Sequence, residues 1–127
     1  MYEHADILTL LENAGLGTVG TDIFAYHSPA EAHNCIIVYP SNDPPPVSPE
    51  TPFYFRGKFQ VIVRNSDYAA GIEVCKAVQA ALTFYNTETA QMNVKECRPL
   101  YQARIYRRSG SGDLEMSINF SITYVQK

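Results

Sequence analysis

Between Phe59 and Tyr85 the chain changes its hydrophobic period, and that change restricts its fold more than any other feature. Phe59, Val61 and Val63 fall on one side of an extended backbone, and Gln60, Ile62 and Arg64 on the other, the alternation of a strand. Asn65, Ser66 and Asp67 follow, each with a short side-chain oxygen able to accept from an unpaired N–H at a helix start. Tyr68, Ile72, Cys75, Val78, Leu82 and Tyr85 then recur at spacings of four, three, three, four and three, which lays an apolar stripe along a helix. Val74, Ala77, Ala81 and Phe84 widen it, and small residues (Ala69, Ala70, Gly71, Ala77, Ala80, Ala81) predict close approach to a sheet. The stretch reads as strand, tight cap and long helix packed back on the strand.

Upstream, Asp6–Ala14 reads as a short helix with Ile7, Leu10, Leu11 and Ala14 on one face and Gly15 as its left-handed stop. GLGTVG (15–20) matches G-x-G-x-x-G by letter, but it follows a helix and leads into a strand. A dinucleotide site needs the reverse order, so that a helix N-terminus faces the pyrophosphate, and the segment reads as a turn. Asp22–His27 is a short strand, and CIIVY (35–39) is a continuous apolar run expected to be buried on both faces. His27, His33 and Cys35 lack the fourth ligand and paired spacing of a zinc site, so they read as turn histidines beside a core thiol.

PSNDPPPVSPETP (40–52) holds six prolines in 13 residues, which excludes helix and interior strand. It reads as a stiff arm or long hairpin tip, with Asp43, Pro44, Pro45, Pro46, Val47 and Pro49 as its partner-contact residues. An SH3-type ligand is the alternative, but no basic residue flanks the prolines. Phe53–Arg64 makes one extended strand with a bulge expected at Gly57. Arg56-Gly57-Lys58 departs from the RNA-recognition signature, since Lys58 and Gln60 stand where stacking rings belong.

After the helix, Asn86–Gln91 reads as a polar turn, Met92–Arg98 and Tyr101–Arg108 as strands, and SGSGD (109–113) as a turn. The last strand alternates without interruption: Leu114, Met116, Ile118, Phe120, Ile122 and Tyr124 against Glu115, Ser117, Asn119, Ser121 and Thr123. One face belongs to a core, and the other is wet or faces a partner. The unit from 59 to 98 either adds a parallel pair or returns antiparallel beside Phe59.

Charge is distributed unevenly. Residues 1–55 carry seven acids (Glu3, Asp6, Glu12, Asp22, Glu31, Asp43, Glu50) and no Lys or Arg, while residues 56–127 carry ten bases and six acids. Such segregation either averages out on folding or gives complementary acidic and basic faces. The nine tyrosines suit strands and protein interfaces. Three scattered cysteines, Cys35, Cys75 and Cys97, read as buried reduced thiols. No apolar run approaches the length of a membrane span, and no secretory leader is apparent. Nucleophile elbows, His-Glu-x-x-His, paired cysteines and phosphate loops do not occur, which argues against an enzyme.

The order of elements resembles the tail terminator (tail completion, or minor capsid) proteins of long-tailed bacteriophages. That family has a strand of the type QV-x-VR, then a polar residue, a Tyr and an amphipathic helix. A turn with Gly and Asp then leads into a C-terminal strand with an F-S/T alternation. Gln60, Val61, Val63, Arg64, Asp67, Tyr68, Asp113 and Phe120 carry the likeness, which spans nearly the whole chain.

The resemblance implies a structural virion protein at the head–tail interface, assembled in the host cytoplasm. Its partners would be copies of itself in a hexameric ring, the tail tube protein and the head–tail connector. DNA would pass through the lumen without tight binding, and no cofactor, metal, small-molecule substrate or membrane is implied. On this basis Arg56, Lys58, Arg64, Arg104, Arg107 and Arg108 are candidate subunit or lumen contacts; otherwise they are solvated strand charges. Alternatives are a head-completion or neck protein, a stand-alone ligand-binding or enzymatic α+β domain, and an RNA-binding sheet. The expected fold is α/β in the broad sense (α+β): one domain over 1–127, with a mixed, mostly antiparallel sheet of four to six strands and two helices on one face.

Overall fold

The structure, a computed structural model, describes residues 4–26, 33–40, 46–108 and 113–127. Expectations for His27, Asp43, Pro44 and Pro45, and for the SGSG part of the 109–113 turn, lie outside the described residues.

Among the described residues, two helices and seven strands follow in the order α1 (His4–Asn13), β1 (Ile23–Ala25), β2 (Cys35–Pro40), β3 (Tyr54–Asn65), α2 (Tyr68–Ala81), β4 (Phe84–Glu88), β5 (Met92–Pro99), β6 (Arg104–Arg108) and β7 (Leu114–Gln126). The sheet runs β1-β2-β3-β7-β5-β4, with β6 paired to β7. Among the described strands, β1–β2 is the parallel pair and the other pairs are antiparallel. The strand β7 is central because it is long. One edge pairs with β3 from Leu114 to Val125, while the other pairs with β6 at Leu114–Ser117 and with β5 at Phe120–Gln126. Neither expectation for the 59–98 unit holds as stated. β3 and β5 run in the same direction, but β7 lies between them.

The two period-2 strands put their apolar sides into one core. Val61, Val63, Met116, Ile118, Phe120, Ile122 and Tyr124 are buried there with Ile7 and Leu11 of α1 and Cys75 and Val78 of α2. Both helices therefore cover one face, α1 over β1 and β2, α2 over β3 and β7. Phe59 and Phe120 stack at 5.0 Å between centroids and Phe55 meets Tyr124 at 5.5 Å, aromatic pairs worth about 1 kcal/mol each beyond burial.

The start of α2 follows the sequence closely. Asp67 is the N-cap and its carboxylate accepts from Ala70 N–H at 2.9 Å. Asn65 Oδ1 accepts from Asp67 N–H, and Asn34 Oδ1 accepts from Ser66 N–H, which ties the cap to the approach to β2. The helix buries Gly71, Cys75 and Val78, and Leu82 continues that line from the C-cap. A Cβ on Gly71 would stand 2.7 Å from Met116 Cε, so Gly71 is where helix and sheet come closest.

The helix ends earlier than its apolar spacing predicts. Leu82 is the C-cap, and the Thr83 hydroxyl donates back to Gln79 O at 2.5 Å. Phe84 and Tyr85 then join β4 opposite Cys97 and Glu96, adding a seventh strand where helix end and turn were expected. Tyr68 and Tyr85 are exposed and do not belong to the buried stripe. Aromatic residues favour a pleated, half-buried surface, and pairing with β5 competes successfully with one more helical turn. The bulge expected at Gly57 is also absent, since Gly57 pairs in register with Ile122; irregularities fall instead at Val94/Glu96 and Ile105/Arg107.

GLGTVG forms the turn from α1 into β1. Gly15 takes φ +80°, the left-handed stop, and a Cβ on Gly17 would lie 2.9 Å from Asp22 Cβ. The Val19 N–H donates to the Glu12 carboxylate at 2.8 Å, so an acid of the chain itself holds a donor that a phosphate would need. At the opposite side, buried Asp6 accepts from Thr89 O–H and Gln91 N–H and joins α1 to the β4–β5 turn.

Candidate interaction surface

The helices leave the other face of the sheet without helical cover. Residues directly opposite on neighbouring strands share a face, so the registers define rows across it. Arg56, Thr123, Glu96 and Tyr85 form one row, and Lys58, Ser121 and Arg98 the next. Tyr39, Gln60 and Asn119 follow, then Ile37, Ile62, Ser117 and Arg104, and then Cys35, Arg64 and Glu115.

These rows do not share one environment. Toward the β3 C-terminus, Cys35, Ile37 and Ile62 form a second apolar cluster with Phe24 and Tyr39 packed on it. CIIVY is thus buried on both faces, as its unbroken apolar run predicts. Glu115 and Ser117 are buried here too. Arg64 donates through Nε and Nη2 to Glu115 Oε2 at 3.1 and 3.0 Å, with side chains 15% and 7% exposed. Nearby, His33 Nδ1 lies 2.7 Å from the carboxylate of buried Asp113.

Toward the β3 N-terminus the same face is wet. Arg56, Lys58 and Arg98 are exposed; Arg104 is exposed too, but on β6 at the rim of the Ile37–Ile62–Ser117 row. Arg98 donates to Glu96 at 2.9 Å. Pro40, Lys58, Gln60, Leu100, Tyr101 and Asn119 help to line an open groove of about 340 Å³, and Tyr101 is 68% exposed. Among the described residues the groove lining contains no carboxylate, thiol or imidazole to act as an acid–base or nucleophilic set. Among the described residues, no cluster of His, Cys, Asp and Glu has the make-up of a metal site. No helix among them is long and apolar enough to cross a membrane.

The sequence-derived basic residues therefore separate. Arg56, Lys58 and Arg104 are exposed, whereas Arg64 is engaged by Glu115 inside the sheet's drier half. Arg107 and Arg108 stand in register opposite Glu115 and Leu114. Arg98 was missed: only the registers of β5 and β3 on β7 put it in the row of Lys58, and there it donates to Glu96. Of the arm, Pro46, Val47 and Pro49 are described, and all are exposed, as is Phe53 at the entry to β3.

The thiols are core groups. Burial pushes Cys75 up to about 11, and burial together with the Glu96 charge pushes Cys97 up to about 12. At the far edge Lys127 Nζ donates to Glu88 at 2.5 Å and to Thr89 O at 2.7 Å, clasping the last residue to the β4–β5 turn. That hydrogen bond and the ammonium charge hold the Glu88 carboxyl below its ordinary range.

The exposed half of this face carries tyrosine and arginine, side chains enriched at protein interfaces. Comparison with known proteins places the fold. A chain described as belonging to the virion of a native gene transfer agent particle superposes with a TM-score of 0.74 at 16% identity, covering 97% of this chain and 93% of that one. A second solved chain gives a TM-score of 0.57 at 17% identity, covering 98% and 92%. At these identities the likeness is one of fold. No curated protein sequence matches at significance. The family model for the bacteriophage tail terminator protein matches residues 10–126, nearly the entire length, and by that match the chain belongs to the bacteriophage tail terminator family.

Proposed function

We propose that this virion protein caps the finished tail tube, stops further tube subunits from adding, and gives the joining surface for the head connector. It does so as a hexameric ring whose lumen lets DNA through without holding it tightly. The family match over residues 10–126 carries this reading. The wet, basic half of the sheet face and the acidic N-terminal half of the chain support heterologous contacts between copies, which close into a ring when the rotation permits. A net charge of −3 accords with weak retention of duplex DNA. In this reading Arg56, Lys58, Arg64, Arg104, Arg107 and Arg108 serve subunit or lumen contacts, Arg64 by fixing the sheet through Glu115. The arm residues Asp43, Pro44, Pro45, Pro46, Val47 and Pro49 meet the tube or connector. The role is structural, without substrate or cofactor.

The test is tail capping. Tube subunits polymerised with the purified chain should yield tubes that stop growing and join heads. Without it they should overgrow and stay unjoined; equal length distributions would remove the proposal. Reversal of Arg107 and Arg108 to Glu should impair ring assembly or joining. Deletion of Pro44–Pro49 should leave the fold intact and weaken docking to tube or connector.

A further inference from the structure

We propose that copies of this chain join end-to-face: the α1–β1 end of one copy seats on the wet half of the open sheet face of the next. This rests on the ring proposed above and names the two surfaces that make it.

The α1–β1 end is anionic for a compositional reason. Residues 1–55 contain no Lys or Arg, so the end of the sheet built by α1, the glycine-rich turn and β1 presents exposed Glu12 and half-buried Asp22, and Arg64 of β3 is a cation that lines the same small pocket as Asp22. Glu12 accepts from the Val19 N–H, which fixes the carboxylate in place while leaving its charge. Val19 and Tyr26 stand exposed on the same end, an apolar complement to the acids. The receiving surface has the opposite sign. Arg56 and Lys58 project from β3 in adjacent rows, Arg98 on β5 is held by Glu96 in the same rows and leaves the patch net basic, and Tyr101 overhangs the groove beside Lys58. Tyrosine and arginine are the side chains that anchor protein interfaces.

The two surfaces lie on different sides of one subunit: one beyond the outermost strand, the other across the broad face. A contact between such non-parallel surfaces turns each copy relative to the last, and a heterologous contact of this kind closes into a ring when its rotation divides a full turn and otherwise winds into a filament. A nucleic acid is the weaker occupant, because the same molecule carries the acidic end and a net charge of −3.

Charge exchange tests the pairing on the full chain. One variant carries Arg56→Glu and Lys58→Glu, making end and face both acidic. The other carries Glu12→Lys and Asp22→Lys, making both basic. The wild type should self-associate at low salt by light scattering, and each variant alone should associate about 100-fold more weakly, since like charges across an interface cost several kcal/mol. An equimolar mixture should regain wild-type mass, because each end then meets a face of opposite sign. Circular dichroism and thermal melts confirm that each variant is folded; any that is not is replaced by the Gln substitutions at the same positions, which should weaken association less. Wild-type association by either folded variant, no recovery in the mixture, or a wild type that stays monomeric would overturn the inference. Tail capping by a monomeric wild type would leave the proposed function standing and remove only this pairing. Loss of duplex retention in gel shifts with unchanged self-association would assign the basic face to DNA instead.

Discussion

One face of strands β3 and β7 contains two unlike surfaces. Near Asn65 and Leu114 the outward rows are closed: Ile37 and Ile62 are buried, Ser117 is buried, and Arg64 donates to Glu115. Near Tyr54 and Val125 the rows in the same alternation are open, with Arg56 and Lys58 in water. The difference comes from the neighbours. In the closed half β2 places Cys35 and Ile37 beside β3, so an apolar layer forms on the second face. In the open half the flanking strand is β5, which contributes Glu96 and Arg98. Alternation fixes which side a residue faces; the flanking strand decides whether that side is dry.

The largest expected effect breaks the closed half. Glu115→Ala removes the carboxylate that accepts from Arg64 Nε and Nη2 and leaves that largely buried guanidinium without this counter-charge, which costs about 3 kcal/mol in urea unfolding. Glu115→Ala together with Arg64→Met should recover a large part of that loss, since a well-packed apolar pair replaces the ions. A loss in the single variant no larger than for an exposed ion pair would mean that this half is as wet as the other.

A second experiment compares the closed half with the helix-covered core. Cys35 belongs to the closed half, Cys75 and Cys97 to the core. The thiolate is the reactive form, so all three should resist alkylation in the native protein and react once unfolded. Fast, selective modification of Cys35 would show that the closed half opens on its own. The two core thiols also give stability a pH dependence. Their folded values, about 11 and about 12, lie above the ordinary 9.0, so above pH 9 the unfolded chain releases protons that the folded chain keeps. Stability is therefore complete below pH 9 and falls as pH rises toward the folded values, by roughly 1 kcal/mol per thiol near pH 10. Urea midpoints at pH 8 and pH 10 measure this, and Cys97→Ala should flatten the dependence.

How much of this is legible in the sequence follows from the range of each interaction. The alternation of β3 and β7, the Asp67 cap, the glycine stop at Gly15 and the doubly buried CIIVY run are local patterns, and the chain folds as they read. The end of α2 is different. Phe84 and Tyr85 fit the helical spacing, but β5 lies thirteen positions beyond Phe84 at Cys97, and no local rule weighs that pairing. The Arg64–Glu115 bond joins residues 51 apart, so Arg64 reads as one more strand charge until register places its partner. The candidate surface was half legible for the same reason: the family resemblance singles out Arg56 and Lys58, but only topology brings Arg98 beside them.

The smallest effects belong to the open half and mark its boundary. Lys58→Ala should change unfolding stability by less than about 0.5 kcal/mol, because an exposed strand charge has little native energy to lose. At the far end of that half, Glu88 is fully exposed and its carboxyl is lowered by the Lys127 hydrogen bond and charge. A lowered folded value means that the pair contributes above the ordinary carboxylate range and is lost as pH falls through it. Lys127→Gln should return the Glu88 titration, followed by carboxyl NMR, to its ordinary position. High salt should do part of the same to the wild type, because exposed charges are screened while the Arg64–Glu115 pair is sheltered. If salt moves both pairs equally, solvent reaches them equally, and the contrast between the two halves fails.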